Sequence, residues 1–407
     1  MAPLRNTSGR SFGKLLGVNR SQDLANDTDS GASKRGQLNS KYVGARSQQL
    51  EFTSPLVATG GTKITTPDYV YHVFEYDANP QSFVVQAATE GEITYLVVGG
   101  GGGGSNQHSG GAGAGGLRTN DPNSSPGGPG TSSEGDYTCT AGTYTVIVGA
   151  GGPGAGPGPS VNIGSGGGYS SFNDGAINSL AKIRSEGGGG GGNWSSHPVG
   201  GAGGSGGGNG AANTGVGGIN QRVANTPGTP APVQGYPGGT WNNGATPHGY
   251  WCHGGGGGGG AGAAGGNLGW SPTPDPNKGA SGNTPGAGGN GKAVPAFPGP
   301  VVAPGITIAT PGAPNPFTTV VGPTGIYAGG GAGGLFTPRS PGNTASSGGT
   351  GGGGNSNSTG SYPPADNAKG GAGVSGCGGG GGGSGRFEAV GGVGGHGVVM
   401  IRYAAPS

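Results

Sequence analysis

Glycine comes in unbroken runs, and a residue without a Cβ has nothing to contribute to an ordinary core. The runs begin at Gly99, Gly187, Gly254, Gly329, Gly351 and Gly378. Glycine supplies 110 and proline 33 of the 407 residues, and 29% of the chain is apolar; roughly 12% Gly plus Pro is usual in globular proteins. Collagen is excluded because its axis requires glycine at every third position, and 149–159 (GAGGPGAGPGP) does not hold that register. Disorder usually combines low hydrophobicity with high net charge, whereas here only 9% of residues are charged and the net charge is +2. The backbone itself is then what must pack.

Fixing a residue's backbone costs roughly 1–2 kcal/mol, and glycine has the most freedom to lose. An isolated glycine rod therefore melts. Polyproline II geometry repeats every three residues, makes no internal hydrogen bonds and points its N–H and C=O groups outward. Six neighbouring rods can satisfy those groups, and without Cβ atoms the backbones can approach closely enough for Cα–H···O contacts as well. The expectation is a small all-β domain plus a polyglycine/polyproline II helix bundle, with little or no α-helix. Flexible linker is the alternative for the same runs, but no segment with a core of its own stands out between Gly99 and Gly395 for linkers to join.

Five stretches carry the β pattern: 69–76 (YVYHVFEY), 82–87 (SFVVQA), 92–98 (EITYLVV), 142–148 (GTYTVIV) and 397–403 (GVVMIRY). They are expected to form one small sheet or sandwich, with the C-terminal strand pairing with 92–98. The resulting division is a basic N-terminal docking arm (1–50), a β domain (51–98) closed by strands near 142–148 and 397–403, a glycine-rich bundle with Trp/Tyr/Pro loops (99–395), and a closing strand and tail (396–407).

The first fifty residues hold eight basic and three acidic side chains, against 11 and 14 in the remainder. This asymmetry marks a separate unit, with Arg5, Arg10, Lys14 and Arg20 as attachment candidates; a solvated tail is the plainer alternative. The basic residues are dispersed, with only Phe12 and Tyr42 among them, which argues against nucleic-acid binding. The first twenty residues lack the apolar run of a signal peptide, and no stretch of about twenty apolar residues is present to insert in a membrane.

Cys139, Cys252 and Cys377 are far apart and odd in number, so no disulfide framework is expected. Cys252, His253 and His248 offer a metal fewer ligands than a structural zinc site takes, and no metal or other cofactor is expected. GxGxxG matches arise automatically in polyglycine, and Gly13-Lys14-Leu15 and Gly291-Lys292-Ala293 both lack the Ser/Thr of a phosphate-binding loop. No paired carboxylates and no nucleophile–base set suggest an enzyme.

All four tryptophans, Trp194, Trp241, Trp251 and Trp270, fall between glycine runs, near His197, His248 and His253. Residues 236–253 concentrate two Tyr, two Trp and two His, and Pro237, Gly238, Gly239 and Pro247 suit a stiff reversal there. Trp194, Trp241, Tyr250, Trp251 and Trp270 are the binding candidates. Such rings either plug the end of a core-poor bundle or form an exposed stacking platform.

The segments 95–104 (YLVVGGGGGG), 110–117 (GGAGAGGL), 142–152 (GTYTVIVGAGG), 170–172 followed by Glu186 and its glycine run, and 391–403 (GGVGGHGVVMIRY) resemble glycine-rich proteins encoded by bacteriophages, marine ones especially. The resemblance spans about 64–404, and its first and last strands are its most specific parts. Tail-fibre adhesins of T-even-like phages look similar in using a polyglycine II sandwich, though only the glycine content matches. What the resemblance implies is a virion protein assembled in the host cytoplasm: a tail-fibre or tail-tip adhesin recognising a host-surface glycan or outer-membrane protein, with the N-terminal arm held by other virion proteins. The alternative is a purely structural component such as a capsid decoration.

Overall fold

Residues 56–87, 91–130, 133–157, 163–194, 197–211, 232–241, 253–269, 284–308, 316–336, 345–356, 358–359, 369–385 and 389–406 are described in the computed structural model. The N-terminal arm, with Arg5, Arg10, Lys14 and Arg20, lies outside the described residues.

Ten strands come early in the chain: β1 (Val57–Thr59), β2 (Thr62–Thr65), β3 (Tyr69–Phe74), β4 (Gln81–Ala87), β5 (Gly91–Val98), β6 (Leu117–Thr119), β7 (Tyr137–Cys139), β8 (Gly142–Ile147), β9 (Ser170–Phe172) and β10 (Ile183–Ser185). Five short ones follow, β11 (His253–Gly254), β12 (Lys292–Ala293), β13 (Ile326–Tyr327), β14 (Leu335–Phe336) and β15 (Ser358–Thr359), before β16 (Val398–Ala404) returns from the C-terminus. One sheet runs β1-β4-β8-β9-β10 and a second β2-β3-β16-β5-β6, with β7 on the first half of β5. The five stretches with the β pattern thus fall in two sheets, and β16 lies between β3 and β5, with Val398 opposite Val98 and Met400 opposite Leu96.

The alternation of side chains explains the layering. Phe74, Tyr95, Val97, Val399 and Ile401 face Phe83, Tyr144, Val146 and Phe172 of the other sheet, forming the core between the two. Val73, Leu96, Val98 and Met400 point from the opposite face into a second core. A strand buried on both faces needs a continuous apolar run, which VVMI of β16 supplies.

The cover of that second face has no counterpart in the sequence expectation. Two short helices, α1 (Gly299–Val302) and α2 (Phe317–Val321), bring Val302, Phe317 and Val321 together with Phe297 and Tyr327 over the sheet. The Tyr327 hydroxyl donates to Phe297 O at 2.7 Å. This apolar cap was hidden in the sequence because its contributors, from Val294 to Tyr327, are interleaved with Pro and Gly.

Gly60 and Gly61 carry the chain from one sheet to the other with φ of +113° and +57°. A Cβ there would come within 2.0 Å of Ser82 O and 2.6 Å of Val73 O. The corner therefore requires glycine on both conformational and steric grounds.

Beyond the sheets the chain continues as extended glycine runs whose backbone groups hydrogen-bond mainly to other runs. In 99–104, Gly99 and Gly102 donate to Gly116 O and Gly113 O, Gly100 and Gly103 to Gly168 O and Ser165 O, and Gly101 and Gly104 to Gly395 O and Gly392 O. Their carbonyls accept from three further runs: Gly188 and Gly191 donate to Gly100 O and Gly103 O, Gly152 and Ala155 to Gly101 O and Gly104 O, and Gly381 to Gly102 O. Six runs thus surround this one, and each direction recurs at every third residue. The run expected to start at Gly378 differs at its first residue, which is left-handed at φ +64°. Gly378 is a turn residue whose N–H bonds to His396 O, and the extended bonding starts after it.

Candidate functional site

The topology sends the glycine runs to a common end. From β5 the run 99–104 leads away from the sheets, turns at 105–109 and returns through 110–116 to β6; the runs leaving β8 and β10 and the run before β16 keep the same register alongside it. The described chain stops at this loop end after residues 157, 194, 211, 241, 269, 336, 359 and 385.

The turn 105–109 (SNQHS) is the polar centre of this end, and all five of its residues are buried. Gln107 and His108 hold φ of +64° and +49°, a conformation costly for residues with side chains unless the surroundings enforce it. The surroundings do so: Ser105 Oγ donates to Gly191 O at 2.5 Å and accepts from Gly164 N–H at 2.9 Å. Asn106 Nδ2 donates to Gly156 O at 3.1 Å, and Ser109 Oγ donates to Ser105 O at 2.6 Å and Ser384 O at 3.1 Å. Gly334 N–H and Ala211 N–H donate to Ser109 O and His108 O. One turn therefore ties together most of the runs that meet here. Residues 105–109 carry no motif, and their signal in sequence is only that they interrupt glycine with five consecutive polar residues.

Trp194 is half-buried at the same end, its ring meeting His108 edge to face with centroids 5.4 Å apart. Its loop is closed by Asn193 and His197, which exchange bonds of 2.8 and 2.9 Å; His197 itself is exposed. Trp241 is half-buried. Tyr250, Trp251 and Trp270, with His248, lie outside the described residues. Their described flanks, β11 on one side and the Gly269–Thr284 bridge on the other, are at the loop end, where β11 pairs with β14 and β14 with β15.

One expectation is corrected. Pro237, Gly238 and Gly239 do not form a reversal: they lie within an extended run, with Gly239 N–H bonded to Gly257 O and Tyr236 N–H to Gly260 O. Proline sits there without disruption because its fixed φ suits an extended chain. Tyr236 consequently stands five residues back along the run from Trp241 rather than beside it.

Among the described residues, charge is concentrated towards the sheets. Apart from Lys369, the described residues that begin or end runs at the loop end are uncharged. The ionic contacts belong to the sheet end, where Arg118 pairs with Glu134, itself bonded by the Tyr95 hydroxyl at 2.8 Å, and where Arg184 lies 4.0 Å over the Tyr169 ring. The perturbed groups are there as well. Burial holds His72 and His396 below the usual histidine value and pushes the Cys139 thiol up to about 12 and Cys377 higher still. Both thiols are thus protonated and inert at neutral pH. Among the described residues no three His, Cys, Asp or Glu gather as a metal site.

Compared with known proteins, residues 78–404 match the model of a family described as a glycine-rich domain. No curated protein matches the chain.

Proposed function

We propose that the glycine runs of this chain, which belongs to the glycine-rich domain family, form a polyglycine II-type bundle, and that the protein is a non-enzymatic component of a phage virion, a tail-fibre or tail-tip adhesin. The recurrence of hydrogen-bond direction at every third residue supports the bundle geometry. The observation that carries the adhesin reading is that the end away from the sheets gathers several runs around the polar turn 105–109, with Trp194 against His108. In this reading the N-terminal arm joins the protein to other virion components, leaving the loop end free to contact the host surface.

The test is to add the purified chain to host cells before infection and, separately, to image particles labelled with an antibody against it. Competition with phage adsorption together with label at the tail tip is the expected result. Label spread over the capsid without competition would overturn the adhesin reading in favour of a decoration protein.

A further inference from the structure

We infer that Asn290 is a site of self-modification, its side-chain amide converted to a carboxylate through a succinimide formed with the nitrogen of Gly291. Asn209 and Asn290 both stand in the sequence Gly-Asn-Gly, where the following glycine has no Cβ to hinder attack by its own nitrogen. By sequence the two are equivalent, and the fold separates them. Asn290 is exposed; Thr350 N–H donates to its Oδ1 at 3.2 Å, and Gly291 N–H donates to Thr350 O at 2.8 Å. Electrophile and nucleophile are thus held to the backbone of one residue, the kind of positioning that favours an intramolecular step. The Thr350 N–H also stands ready to stabilise the charge that develops on Oδ1 during attack. Asn209 is instead fully buried, its Oδ1 accepting from Gly200 N–H while Gly210 N–H donates to Pro198 O. There the two groups are bound to different residues and shut away from water. A third Asn-Gly pair, at Asn243, lies outside the described residues.

Hydroxide removes the Gly291 N–H proton, the nitrogen forms a bond to Asn290 Cγ, and Nδ2 departs with a proton as ammonia, leaving the cyclic imide. Water then opens the ring at either carbonyl. Opening at Cγ gives aspartate, and opening at the main-chain carbonyl gives isoaspartate, whose chain runs through Cβ and Cγ. No electrons change hands; one water is taken up for one ammonia lost. Either product puts a carboxylate into the run 284–291, which has no charged side chain. Isoaspartate also inserts a backbone carbon between two bonds that the three-residue spacing keeps in step, Gly288 N–H to Ser347 O and Gly291 N–H to Thr350 O. The disturbance lies next to β12, where Lys292 pairs with Tyr327 of the cap.

The experiment is incubation of the folded full chain in mildly alkaline buffer beside a second sample held in denaturant, both followed by peptide mapping with mass spectrometry and by enzymatic methylation of isoaspartyl carboxylates. In the folded chain Asn290 is expected to react at least tenfold faster than Asn209, giving both products, whereas in denaturant the two sites react at closely similar rates. N290Q should yield no product at that position, because glutamine would have to close a larger ring. T350P, which removes the N–H held on Oδ1, should slow the reaction at Asn290 threefold or more with melting unchanged; should T350P not fold, the ratio of folded to denatured rates at Asn290 takes its place, and a value near or above one is expected. Equal rates at Asn209 and Asn290 in the folded chain overturn the inference. So does an Asn290 that stays intact in the folded chain while the denatured sample converts.

Discussion

A single methyl group decides whether a residue can occupy the centre of this protein. A Cβ at any position from Gly99 to Gly104 would lie 2.0–2.3 Å from a backbone oxygen of a neighbouring run, and the runs struck rotate with a period of three. At Gly190 and Gly257 the corresponding distances are 2.1 and 1.9 Å to Gly164 O and Ala287 O. Because the obstacle is backbone, it cannot turn aside as a side chain would. Gly190→Val and Gly257→Val are therefore each expected to cost more than about 3 kcal/mol, the upper end of ordinary overpacking, read as loss of the cooperative melting transition. Gly130, with nothing within 4 Å of its added Cβ, is the control: Gly130→Ala should stay within about 0.5 kcal/mol of the parent. The sequence shows the same rule at the perimeter. In 390–396 (VGGVGGH) the side chains return every third residue, and Val390, Val393 and His396 are half-buried while the glycines between them are buried.

Between elements, two neutral histidines fasten the molecule at the sheets. His72 Nδ1 donates to Gly60 O at 2.7 Å while its Nε2 lies 3.1 Å from the Tyr403 hydroxyl, and the ring stacks on that of Tyr403. His396 lies flat on Tyr76 with centroids 4.3 Å apart, and its Nδ1 accepts from Gly151 N–H at 3.1 Å. Protonation would remove that acceptor. Both rings have folded values below the usual 6.5, chiefly because burial penalises the charged form. The unfolded chain consequently binds more protons as pH falls, and stability drops with it. Their contribution is complete above pH 6.5 and is lost progressively below it, towards the depressed folded values. Melting temperature measured between pH 8 and 5 should fall on the acid side, and H396Q should flatten the slope; an unchanged slope would assign the acid response to other groups. The cap is tested at Phe297, fully buried between Tyr71 and the helices. Phe297→Ala should cost about 3–5 kcal/mol, seen as a lower denaturation midpoint.

At the scale of the whole molecule, Pro55–Ser407 forms one compact unit. On the virion reading proposed above, deleting residues 1–54 is expected to leave a soluble protein with the parent's melting temperature that no longer joins particles; normal incorporation would place attachment elsewhere. What the sequence by itself determined was the division of labour between residue types. Alternating apolar stretches specified strands, including the pairing of β16 with β5, because a lone apolar strand must find a sheet. Unbroken glycine required backbone packing because no side chain was present to do it. Tertiary structure decided what depends on contacts between distant residues. The cap over the second sheet face arises only when Val294, Phe317 and Tyr327 meet, and no local period marks it. The polar centre of the loop end likewise exists because Ser105 reaches Gly191, and Ser109 reaches Ser384, across 86 and 275 residues of chain. Glycine leaves no pattern from which to read which run lies beside which, so that arrangement is set where the runs close on one another.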